Sequence, residues 1–221
     1  MRLTTAARSE AGILETNKVL KNTYLLLSMT LMFSAAMAAV AMSLNLPHPG
    51  LIITLLGYFG LLFLTTKFSH SAWGIVFVFA LTGFMGMTLG PILNMYVHAF
   101  SNGHQLILTA LGGTGVIFLG LSAYALTTRK DFSFMAGFLM VGILVAFFAG
   151  LAAVVFSVPA LTLAVSVMFI LLMSGMILFQ TSEIIHGGET NYILATVSLY
   201  VSLYNLFTSL LQLLGVFGGD D

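Results

Sequence analysis

Cysteine is absent from this chain of 221 residues, and charged residues make up only 6% of it. Without cysteine the chain can form no disulfide, thiolate nucleophile or cysteine metal site. Because 59% of the residues are hydrophobic, too few polar side chains remain to cover a water-soluble globule. The formal net charge is zero and no folded stretch carries a basic patch, so nucleic-acid binding is not expected.

Long apolar runs make up most of the chain, and its mean hydropathy is +1.08. A helix needs about 20 apolar residues to cross a hydrocarbon core of about 30 Å. The sequence therefore predicts an all-α integral membrane protein with seven transmembrane helices, the second of them short. They are expected at 24–44, 51–66, 72–96, 105–127, 134–157, 160–183 and 192–217.

These helices form a predicted transmembrane domain over 22–217, preceded by a disordered cytoplasmic tail at 1–21 and followed by a short extracytoplasmic tail at 218–221. The first apolar run also has an alternative interpretation as a secretory signal, because two lysines precede it and an alanine cluster follows. The run continues beyond those alanines and is long enough to span, which favours a retained helix.

Positive charge predicts the orientation in the membrane, because short loops rich in Lys and Arg stay in the cytoplasm. With seven spans, every Lys and Arg of the chain falls on the same side: Arg2, Arg8, Lys18, Lys21, Lys67, Arg129 and Lys130. The amino terminus is therefore expected in the cytoplasm, and Asp220 and Asp221 on the other side.

Small and polar residues indicate how the helices pack, since close approach in lipid depends on small side chains and hydrogen bonds between helices. Gly83, Gly86 and Gly90 lie on one face of the third helix.

A polar stripe of the last helix lies beside a leucine stripe, so this helix is predicted at the centre of the bundle with six around it. The stripe contains Ser198, Ser202, Asn205, Ser209 and Gln212. It could join helices by hydrogen bonds or line a hydrated path.

Several polar groups also lie at the cytoplasmic end of the sixth helix. Gln180 and Glu183 are one turn apart and share a face, and His186 follows three residues later. Glu183 could simply be wetted at the helix end. Alternatively it is a titrating, gating carboxylate whose pKa desolvation would raise, with His186 as its partner. We find no catalytic constellation, metal site or cofactor motif, so the chain is not expected to be an enzyme.

Three segments together resemble the Bax inhibitor family, the transmembrane BAX inhibitor motif proteins. They are "FQTSEIIHGGETNYILATVSLYVSLYNLF" at 179–207, "GMTLGPILNMY" at 86–96 and "LSAYALTTRKDFSFMAGFLM" at 121–140. With "NKVLKNTYLLLSMTLMFSA" at 17–35, the resemblance is strongest to the bacterial branch that modulates the FtsH protease. It implies a seven-helix fold with the last helix central.

The resemblance implies two activities. One is a pH-sensitive leak of calcium or other cations, controlled by an aspartate on the sixth helix and another on the seventh. Those family positions correspond here to Gln180 and Ser202, and neither ionises. A carboxylate pair that shares a proton therefore cannot form, although Glu183 could replace the first aspartate. Gln180 and Ser202 are instead predicted to hydrogen-bond to each other as a fixed latch.

The other implied activity is binding to the membrane AAA protease FtsH and its associated complex in the bacterial inner membrane. We favour this regulatory function because both sensor positions have lost their acids. An unfolded tail at 1–21 would also suit a protease that grips chain ends. The alternative is a calcium or cation leak along the polar stripe, with Ca²⁺ as the transported ion.

Overall fold

The structure, a computed structural model, describes residues 2–218, with side chains from residue 16 onward. The described residues form seven α-helices and one short 3-10 turn. The helices are α1 (Arg2–Ser43), α2 (Leu51–Lys67), α3 (Ala72–Ala99), α4 (Gly103–Thr128), α5 (Ala136–Val155), α6 (Pro159–His186) and α7 (Tyr192–Phe217). Six are long and apolar enough to cross a membrane, and α2 is a shorter apolar helix of 17 residues. The predicted helical membrane fold is confirmed.

The first helix is longer than its predicted span, because α1 begins at Arg2. Thr16–Lys21, which the sequence assigned to a disordered tail, are helical, and Val19 and Leu20 pack into the core. That part of the prediction is wrong. Alanine, leucine, glutamate and lysine are strong helix formers, and extending an existing helix avoids the cost of nucleation. The predicted tail at the other terminus, including Asp220 and Asp221, lies largely outside the described residues.

The last helix is the most buried. In the most apolar 18-residue window of α7, 61% of the residues are buried, against 44% for α3 and at most 33% for the other long helices. It packs against α1, α3, α4 and α6, while α2 packs on α3 and α5 on α6. The central position of α7 is therefore confirmed, but four helices surround it directly instead of the predicted six. The two outer helices contact the layer around it.

Glycines allow α1 and α3 to pack closely. An added Cβ at Gly83 would lie 2.7 Å from the ring of Phe33, and one at Gly86 would overlap the backbone of Ser34. At Gly90 the same atom would meet Ala41 at 2.5 Å. These close approaches join α1 to α3 along about two turns, on the face that the spacing of the three glycines predicts. The first apolar run is thus packed as an integral helix of the bundle.

Helix α6 ends and α7 begins at the end of the molecule where Lys67, Arg129 and Lys130 lie. We call this the basic end. Gly187 ends α6 with φ 76°, a left-handed conformation that glycine adopts without a Cβ clash. Asn191 caps α7 by accepting hydrogen bonds from the amides of Ile193 (2.9 Å) and Leu194 (3.4 Å). Its side-chain amide also donates to the carbonyl of Ser69 at 3.0 Å, which ties this turn to the α2–α3 connection.

Candidate functional site

Gln180 on α6 and Ser202 on α7 meet in the buried interface between these helices. The Ser202 hydroxyl donates to Gln180 Oε1 at 3.2 Å, so the predicted contact is present. Only 8% of Gln180 and 2% of Ser202 are exposed. The Gln180 carbonyl is satisfied by this bond, but its NH₂ group has no acceptor among the described residues. Because neither side chain ionises near neutral pH, this contact does not respond to protons.

A cleft of about 550 Å³ lies beside this pair. We call it the α2–α5 cleft. Its walls come from α2 and α5, with α6 and α7 as its floor, and most of its lining is apolar. The two walls touch through the rings of Phe59 and Phe147, which pack edge to face with centroids 6.1 Å apart. Gln180 and Ser202 both line the floor, so the contact between them borders this cavity.

The predicted polar stripe divides between this cleft and the bundle interior. Ser198, Ser202 and Asn205 line the cleft. Further along α7, Ser209 is buried and Gln212 accepts a 2.6 Å hydrogen bond from Ser166 on α6. The stripe therefore joins α6 to α7 at two places, through Ser202 and Gln212, and its half nearer the basic end also borders the cleft.

Glu183 and His186 do not contact each other in the described structure. The Nδ1 atom of His186 lies 2.9 Å from the carbonyl oxygen of Ser182, and its Nε2 lies 3.1 Å from that of Arg129. Glu183 is half-buried, and its carbonyl accepts a 2.8 Å hydrogen bond from the amide of Gly188 in the helix cap. His186 thus joins α6 to the α4–α5 connection, and a titrating role for Glu183 stays a prediction.

Ser182 makes further contacts to the α4–α5 connection. Its hydroxyl accepts from the amide of Phe132 at 3.0 Å and donates to the carbonyl of Lys130 at 3.2 Å. The neighbouring Asp131 is fully exposed, and the pKa of its carboxyl is lowered by hydrogen bonds from Ser133 and by the nearby His186. Because the pKa of Asp131 is lower in the folded state, its ionised carboxyl stabilises the fold at pH values above the ordinary aspartate pKa. This stabilisation is lost as the pH falls through the lowered pKa.

Replacing Ser182 with alanine is expected to destabilise the protein by about 1 kcal/mol, because the partly buried Phe132 amide loses its acceptor. Amide hydrogen exchange at Phe132 should accelerate. The matched control is Ser174→Ala, since that hydroxyl donates only to the Ile170 carbonyl within α6. Equal unfolding free energies and exchange rates in the two variants would contradict this account of the α4–α5 connection.

A second buried network gives no signal in the sequence. Ser34 and the hydroxyl of Tyr200 lie 2.6 Å apart, and Tyr200 also donates to the carbonyl of Thr82 at 3.3 Å. These contacts join α1, α3 and α7, although Ser34 and Tyr200 are 166 residues apart in the chain. Sequence reasoning did not single out Tyr200, because its partners come from distant helices.

Comparisons with known proteins match the whole fold. The family model for the inhibitor of apoptosis-promoting Bax1 matches residues 16–219. The chain is 56% identical over 207 residues to an uncharacterized protein of Pseudomonas aeruginosa, covering 94% of this chain and 93% of that one. It is 54% identical over 219 residues to the modulator of FtsH protease YccA of Escherichia coli K12, covering 99% of each. The same figures hold for a protein of E. coli O6:H1 named inner membrane protein YccA.

The family assignment follows from both kinds of comparison, since a match of more than 200 residues includes α2 to α7 completely together with the packed part of α1. It also includes the contact between Gln180 and Ser202, the α2–α5 cleft and the cap between α6 and α7. The chain belongs to the Bax inhibitor family.

Proposed function

We propose that this protein is an inner-membrane regulator that binds the FtsH AAA protease complex and modulates the degradation of membrane proteins. The observation that carries the proposal is 54% identity over 99% of both chains to a protein named modulator of FtsH protease. Identity of that extent leaves no separate domain in which the two proteins could differ in activity. The relative named inner membrane protein supports the same location for this chain.

The packing of the bundle supports a role as a regulator that resists extraction by the protease. Central α7 buries Leu199, Tyr200 and Leu206 almost completely. Close α1–α3 packing at Gly86 leaves no space between the backbones. Pulling on one end of such a chain requires many buried contacts to break together, so the protease would engage the protein without readily unfolding it.

Residues 2–15 are the segment that we expect the protease to grip, and we call them the handle. They extend α1 beyond the span that begins at Thr16. A helical segment of this length is marginally stable in water by itself, so gripping it would cost little. All seven basic residues fall at the end of the bundle that carries this segment, which supports a cytoplasmic amino terminus.

Deleting residues 2–15 from the full chain is expected to abolish co-purification with FtsH and to restore the normal half-life of a membrane substrate. The matched control replaces the same residues with a Gly/Ser segment of equal length, which retains the reach but removes the sequence. If the deletion left both binding and half-lives unchanged, the assignment of residues 2–15 as the segment gripped by the protease would be wrong. If intact protein altered no half-life at any level, the regulatory function itself would be wrong.

The cation leak stays a prediction. Among the described residues that line the α2–α5 cleft there is no Asp or Glu, and hard cations such as Ca²⁺ favour carboxylate oxygens. Gln180 and Ser202 replace the acids that the family resemblance would place there.

A further inference from the structure

Gln180 lies on the floor of the α2–α5 cleft, beside Ser198, Ser202 and Asn205 of α7. It is more than nine-tenths buried, yet with its Oε1 accepting from Ser202 its NH₂ group finds no acceptor among the described residues. An amide left without a partner in a low-dielectric site costs free energy, so its surroundings favour a ligand that presents a hydrogen-bond acceptor.

The length of the cleft matches one leaflet of a bilayer. Its floor on α6 extends from Phe169 to Gln180, eleven residues apart, which is about 16 Å along a helix. This is about half of a 30 Å hydrocarbon core, which is the thickness of one leaflet. A single acyl chain has the matching length and is narrower than a helix of about 10 Å diameter.

The depth of Gln180 matches the ester region of a phospholipid. The 28 residues of α6 extend about 42 Å, so a centred helix overhangs a 30 Å core by about 6 Å at each end. Gln180 lies six residues from the end of α6 at His186, or about 9 Å. The amide is therefore about 3 Å inside the hydrocarbon boundary. Ester carbonyls of glycerophospholipids lie at that boundary.

Cations lie towards the basic ends of the two wall helices, outside the lining of the cleft. Lys67 is the last residue of α2, and Arg129 and Lys130 lie in the connection between α4 and α5. Lys67 is exposed. Basic residues next to a membrane attract anionic lipid headgroups.

We propose that the α2–α5 cleft binds one glycerophospholipid from the leaflet at the basic end. One acyl chain fills the cleft, and the Gln180 amide donates a hydrogen bond to the ester carbonyl of that lipid. The site would be a lipid-binding function of the bundle that does not depend on the protease partnership.

Photo-crosslinking of the full chain in lipid vesicles tests the proposal. The vesicles contain phosphatidylethanolamine and phosphatidylglycerol, and the phosphatidylethanolamine carries a diazirine in its acyl chain. Met173 is the informative residue, because it lines the cleft but is only 3% exposed, so lipid on the outer surface does not reach it. We expect Met173 to be labelled in the parent protein and to lose this label in Val201→Phe, because the larger side chain fills the cleft. Leu108, 67% exposed on α4, should be labelled equally in both. Absence of label at Met173 in the parent, or persistence in the filled variant, overturns the proposal.

Gln180→Leu tests the hydrogen bond without filling the cleft. In native mass spectrometry of the detergent-solubilised protein, we expect retention of one phospholipid per chain to weaken about fivefold, the effect of one neutral hydrogen bond. The matched control is Gln212→Leu, which changes the same residue type in α7 outside the cleft and should leave lipid retention unchanged. Equal retention in the two variants contradicts the assigned contact. Stronger labelling of Met173 by a diazirine fatty acid than by the phospholipid would show that the ligand is a free acid and overturn the proposed source.

Discussion

A Gly86→Val substitution is expected to destabilise the bundle by about 3 kcal/mol, the upper part of the usual range for overpacking. The first atom of the new side chain would overlap the backbone of Ser34 on α1. Because that neighbour is backbone, it cannot rotate away, and α1 and α3 must separate. Separation would also stretch the 2.6 Å contact between Ser34 and Tyr200. Unfolding in mixed micelles measures the loss.

Gly60→Val is the matched control for that experiment. Gly60 is an exposed helical glycine on α2, and an added Cβ would meet nothing within 4 Å. Its replacement should be neutral or slightly stabilising, since glycine is a poor helix former. If both valine variants lost the same stability, the overlap with Ser34 would not explain the loss at Gly86, because Gly60 has no such neighbour.

Periodic features of the chain were sufficient to predict the fold. Three glycines at spacings of three and four predicted a face of α3 that packs closely on a neighbour, which the structure identifies as α1, and the polar stripe predicted the central position of α7. Both signals work because a membrane helix has only a few faces that can meet another helix. The start of α1 was missed because hydropathy marks where a helix is embedded in lipid, not where the helix begins.

The site was predicted only where two neighbouring helices meet. The family resemblance placed Gln180 on α6 and Ser202 on α7 at paired positions, and a short turn connects these two helices. The α2–α5 cleft could not be predicted in that way. Its walls are far apart in the chain, and the space between them depends on how α2 packs on α3 and α5 on α6. Nothing in the apolar pattern of α2 or α5 distinguishes a lipid-facing position from a cleft wall.

The double substitution Gln180→Asp with Ser202→Asp is expected to make stability depend strongly on pH. Two carboxyls in this buried contact would repel each other once both are ionised, whereas a pair that shares one proton carries a single charge. Stability is therefore retained at low pH and lost as rising pH ionises the second carboxyl. A second charge at this depth costs at least about 2.5 kcal/mol. The double variant should therefore unfold at a lower temperature at pH 8 than at pH 5, a difference that the parent protein should not show.

The matched control is Gln180→Asn with Ser202→Asn, which has nearly the same shape and no ionisable group. At pH 5 the two double variants should have similar stability, and only the aspartate pair should weaken at pH 8. Calcium flux into vesicles measured on the same proteins connects this effect to function. Flux that appears only with the aspartate pair would mean that the bundle retains a path along α7 and lacks its proton switch. Identical pH profiles for the two variants would show that the contact between α6 and α7 tolerates charge, because water enters from the α2–α5 cleft.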